Sequence, residues 1–66
     1  MQMFAVVAEK SKQLPQLNVG SIVEIEFVLC KTLTDFINDE RKGVFVSQKN
    51  KTYLVRKSML TDYWIV

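Results

Sequence analysis

The hydrophobic positions fall into short runs separated by polar segments, and the spacing changes from run to run. Met3 to Ala8 is uniformly apolar and too short for periodicity to separate strand from helix; we read it as a strand. Residues 9 to 19 hold the chain's one Pro among polar side chains, which predicts a long loop with Leu14 and Leu17 turned onto the core. From Gly20 the pattern sharpens. Val23, Ile25, Phe27 and Leu29 alternate with Ile22, Glu24, Glu26 and Val28 over a β-branched run, so the odd positions should point inward and the two Glu should stand in water.

Thr32-Leu33-Thr34-Asp35 has the form of a helix start, with Thr32 as N-cap and an acid at the third helical position. Leu33, Phe36 and Ile37 then share one face and Gly43 is placed to close the C-terminus, which predicts one short helix over about 33–42; a structured loop covering one end of the sheet is the alternative. Val44 to Ser47 and Thr52 to Lys57 are β-rich runs joined by Gln48-Lys49-Asn50-Lys51, a linker of hairpin length. Val44, Val46, Tyr53 and Val55 should share its apolar face, with Thr52, Leu54 and Arg56 on the other. Ser58 to Thr61 suits one helical turn, and Asp62 to Val66 a final strand.

Strand, long loop, long strand, variable insert, tight hairpin, short turn and last strand form an order that resembles the small SH3-like barrels over nearly the whole chain. The resemblance implies a mainly β fold, a five-stranded barrel. SH3 domains that bind proline-rich peptides carry an Ala-Leu-Tyr-Asp-Tyr-like run, a Trp pair and a Pro-x-x-Tyr. Here Phe4-Ala5-Val6-Val7, Val44-Phe45 and Thr61-Asp62-Tyr63 stand in their places, so the resemblance extends to the barrel and not to proline-peptide recognition. An α+β sheet carrying one helix is the alternative fold.

Composition narrows the function. With 66 residues there is room for one domain, spanning 1–66, near the lower limit for a core without metals or crosslinks. Apolar residues make up 48% and charged residues 24%, which separates the chain from disordered tails. His is absent and Cys30 is the sole cysteine, which removes disulfide scaffolds, Cys/His zinc sites, His-based acid–base catalysis and every His-activated nucleophile. Cys30 reads as a small apolar filler. No catalytic set, cofactor or metal site is expected, and the protein is read as a non-enzyme. Asp35 and Asp39, one helical turn apart, are more simply explained by capping and solvation than by a shared cation.

The longest apolar run, Met3 to Ala8, is far short of the roughly 20 residues that span a bilayer. It also lacks the flanks of a secretory signal, so no membrane association and a reducing cytoplasmic setting are expected. Asn50-Lys51-Thr52 fits a glycosylation acceptor but reads as a turn.

The net charge of +2 is unevenly distributed: residues 1 to 40 carry three basic and six acidic side chains, whereas 41 to 57 carry six basic and no acidic ones. Two surfaces follow. Arg41, Lys42, Lys49, Lys51, Arg56 and Lys57 with Tyr53 among them suit phosphates and a stacked base, although edge lysines also keep a small β domain from aggregating. Tyr63, Trp64 and Ile65, with Met59 before them, form an aromatic terminus of the kind enriched in protein interfaces, because one parity of a strand must face away from the core. The leading expectation is therefore a small interaction module that binds and modulates a larger protein of unspecified identity, or a second copy of itself. Taken as a complete chain, it suits an accessory protein encoded by a virus or mobile element. Nucleic-acid binding through the basic hairpin is the rival reading.

Overall fold

A computed structural model describes residues 2–26 and 32–66. The elements run β1 (Met3–Val7), β2 (Ile22–Glu26), α1 (Leu33–Asn38), β3 (Gly43–Gln48), β4 (Lys51–Arg56), a 3₁₀ turn (Lys57–Met59) and β5 (Leu60–Ile65). The fold is mainly β. Among the described residues all pairings are antiparallel and the strand order is β4-β3-β2-β1-β5, so β4 and β5 are the edges of one unclosed sheet. The inward placement of Phe27 and Leu29 and the outward placement of Cys30 lie outside the described residues.

Alternation decides what the sheet buries. Met3, Ala5 and Val7 of β1, Val23 and Ile25 of β2, Val44 and Val46 of β3, and Val55 of β4 all point to one face and are buried. Three segments outside the strands close over this face: Leu17 from the long loop, Phe36 from α1, and Met59 from the 3₁₀ turn. Leu14 packs against the same cluster, as the sequence predicts. The loop is fastened at both ends. The Val7 amide donates to the Ser21 carbonyl at 2.9 Å, the Gly20 amide to the Val7 carbonyl at 2.8 Å, and the Ala8 amide to the Met59 carbonyl. Within it, the Lys10 ammonium donates to the Pro15 carbonyl and the Asn18 side-chain oxygen.

The predicted hairpin forms, but with a two-residue loop, because Gln48 and Lys51, expected in the linker, pair as the last rung of the strands. Lys49 and Asn50 have φ of 52° and 65°, the left-handed pair of a type I′ turn, whose twist matches that of the strands. Helix α1 starts as predicted, with the Thr32 hydroxyl accepting the Asp35 amide at 3.1 Å. It is shorter than the expected span of 33–42. It stops at Asn38 because Asp39 leaves helical geometry (ψ 133°) and its carboxylate accepts the Arg41 amide and guanidinium instead, a local bond that competes with helix propagation. Gly43 accordingly opens β3 and is not a helix cap. Ile37, expected on the packed face of the helix, is 53% exposed.

Candidate functional site

The aromatic surface expected from sequence is rearranged by one residue. Pairing between β1 and β5 runs Val7↔Leu60 and Val6↔Thr61, then resumes one place later as Phe4↔Trp64 and Met3↔Ile65. The extra residue is accommodated at Asp62, whose φ is 55°. This bulge places both Leu60 and Tyr63 toward the core and turns Trp64 to the opposite face.

The aromatic terminus therefore divides. Met59 is buried in the core, and its carbonyl receives the Ala8 amide. Tyr63 sets its ring edge-on to Phe36 at 5.3 Å, and its hydroxyl donates to the Lys57 carbonyl at 3.1 Å and lies 3.4 Å from that of Leu60. Burial pushes the Tyr63 phenol above its usual pKa. Met59 and Tyr63 thus belong to the protein's interior packing and present little to a partner. Ile65 is on the core side but at the rim, 38% exposed. Trp64 faces outward, half-buried, its ring stacked on Phe4 with centroids 5.6 Å apart and planes 21° from parallel.

Phe4 is absent from the residues singled out by sequence reasoning. The signal was the uniformity of the Met3–Ala8 run: a strand apolar at both parities has an apolar outer face as well. That face continues across the sheet. Phe4 opposes Glu24, and Val6 opposes Ile22, which is 57% exposed. Glu26 opposes Phe45, which opposes Leu54; these two apolar side chains are 44% and 61% exposed. Apolar side chains thus flank a partly exposed acidic pair, with Glu26 accepting a hydrogen bond from the Ser47 hydroxyl at 2.7 Å.

The basic set also divides. The Lys57 ammonium lies on the C-terminal end of α1, donating to the carbonyls of Phe36, Asp39 (3.0 Å) and Ile37 (3.4 Å), and sits 4.4 Å from the centroid of the Phe36 ring. Lys57 is a structural cation. Arg41 pairs with Asp39 at 3.1 Å. Tyr53 packs against the core cluster on the inner face, opposite Val46. Lys42, Lys49, Lys51 and Arg56 remain exposed. Lys49 is at the hairpin tip and Lys51 beside it; Lys42 and Arg56 lie at the other end of the hairpin, where Arg56 opposes Gly43.

Among the described residues no group of three or more Asp, Glu, Cys or His side chains converges, and no helix is long and apolar enough to cross a membrane. Comparison with protein-family models, with curated proteins and with solved structures returned no significant match for the chain.

Proposed function

We propose that this protein is a non-enzymatic interaction module on an SH3-like barrel scaffold, and that it binds a larger protein through the outer face of its sheet. Support for the scaffold comes from the order of elements: a long loop after β1, a two-residue hairpin between β3 and β4, and a 3₁₀ turn before a last strand that pairs with the first. The function rests on the Phe4–Trp64 stack beside the exposed Ile22. Stacked aromatics carry large apolar area at low cost in side-chain entropy, which suits them to anchor an interface. Glu24 and Glu26 next to them select a partner that brings Lys or Arg to the same apolar patch. Nucleic-acid binding is the weaker reading, because Lys57 and Arg41 are occupied within the fold and the Tyr53 ring lies on the core side.

Trp64 is the chain's single Trp and reports on this surface directly. Capture from lysate with the whole protein should recover one dominant protein, lost with a Trp64→Ala variant of unchanged circular dichroism. Titrating that protein back should shift Trp64 emission to shorter wavelength. Equal recovery by the variant, or emission that stays constant through saturation, overturns the proposal.

A further inference from the structure

The β4 edge offers a second recognition element on a different part of the molecule. Its inner neighbour is β3, with an unbroken register from Gly43↔Arg56 to Gln48↔Lys51, and the ladder extends one step further where the Lys57 amide donates to the Lys42 carbonyl at 2.8 Å. In an antiparallel pair, residues alternate between exchanging both backbone bonds with the partner strand and turning both away. Counting from Lys57, the residues bonded to β3 are Val55, Tyr53 and Lys51. The N–H and C=O groups of Thr52, Leu54 and Arg56 therefore face the open side, where the sheet order gives β4 no neighbour among the described residues.

Space and charge lie along that side. Two adjoining cavities, of about 380 and 740 Å³, border Leu54, Val55 and Arg56, with Gln13 of the long loop and Ser58 lining both. Lys12 lines the first and Lys42 the second, and Arg56 lines both; Glu9 is the one acid among the lining residues described. A second copy of the chain fits poorly. Residues 51–57 contain Lys51, Arg56 and Lys57 and no acid, so antiparallel pairing of β4 with its own copy sets cation against cation. The charges that repel a copy attract the opposite chemistry.

We propose that the free edge of β4 takes an extended acidic segment of a partner protein by strand addition. The segment's backbone pairs with Thr52, Leu54 and Arg56, and its carboxylates meet Lys12, Lys42 and Arg56. The edge shares the Leu54 side chain with the outer face but lies three strands away from Phe4 on β1, so loss of the Phe4–Trp64 stack leaves the backbone groups of β4 in place.

The test uses the whole protein at low salt with two synthetic peptides, one alternating Glu and Val and the other Lys and Val. Adding the Glu peptide should slow amide exchange at Thr52, Leu54 and Arg56 by about tenfold at saturation, with affinity falling as salt is raised. The Lys peptide should leave those amides unchanged, and Trp64→Ala should bind the Glu peptide like the parent. Leu54→Pro removes an outward N–H without touching the β3 ladder and should abolish the protection. Should that variant not fold, Lys42→Glu with Arg56→Glu must invert the preference between the peptides. The proposal is overturned if the Glu peptide does not bind, if it acts at Phe4 and Trp64, or if a single-stranded oligonucleotide protects the same amides equally. Protection that rises with protein concentration without peptide also overturns it, in favour of a self-paired edge.

Discussion

Tyr63 and Lys57 show how much of this protein's apparent surface chemistry is spent inside the fold. The Tyr63 hydroxyl is held by main-chain carbonyls at the 3₁₀ turn, and burial raises its pKa above the ordinary 10.0. An unfolded chain ionises this phenol near the ordinary value while the folded chain keeps its proton. Stability linked to Tyr63 is therefore fully present below about pH 10 and is lost as pH rises through that value toward the higher folded one. Urea midpoints measured across that range should fall more steeply for the parent than for Tyr63→Phe. The variant itself should cost about 1 kcal/mol at neutral pH, from the lost hydrogen bond. Parallel slopes would show that the phenol is not linked to folding. Neither role was legible in the sequence, where Tyr63 and Lys57 fell into an aromatic and a basic run. A hydrogen bond to a main-chain carbonyl leaves no mark on composition, and the helix end that Lys57 serves lies some twenty residues away in the chain.

At the scale of elements, period-2 alternation was readable wherever one face was buried against polar neighbours. Val23 and Ile25 against Glu24 and Glu26 are the clearest case, and the hairpin followed from a short polar linker between two β-rich runs. The last strand was not readable in the same way. Alternation presumes an unbroken register, and the bulge at Asp62 shifts the parity of every residue after it, so Tyr63 could not be told from Trp64 by counting. The nearest local signal was Asp itself, one of the few residues other than Gly that tolerates φ of 55°. Asp62→Gly should leave stability unchanged or raise it by a few tenths of a kcal/mol. Asp62→Val, β-branched in a left-handed conformation, should cost about 1–2 kcal/mol. The difference appears in urea melts as separated midpoints with similar slopes. If Val is tolerated as well as Gly, β5 pairs without the bulge.

At the scale of the whole molecule, the described residues form a single sheet whose buried face is covered by pieces of loop, a six-residue helix and one 3₁₀ turn, without a second layer of regular structure among them. Such a cover must gain its stability from a few well-seated side chains, since a domain this small buries a limited fraction of its surface. Leu17 and Phe36 are both fully buried, and Leu17 comes from a segment with no regular secondary structure. Part of the exposed apolar area lies on the outer face, where Ile22, Phe45 and Leu54 are in contact with solvent. These two faces should respond to truncation in opposite ways. Leu17→Ala leaves a cavity under the loop and should cost about 2–5 kcal/mol, a large share of the roughly 5–15 kcal/mol typical of native domains. Ile22→Ala, on the outer face, should stay within about 0.5 kcal/mol. Urea unfolding followed by Trp64 fluorescence and by circular dichroism should show both probes moving together in each variant, because the loop's anchor and the Phe4–Trp64 stack belong to one cooperative unit. Were Leu17→Ala to cost no more than Ile22→Ala, the long loop would be an appendage and the sheet's inner face would have to be covered by something outside this chain.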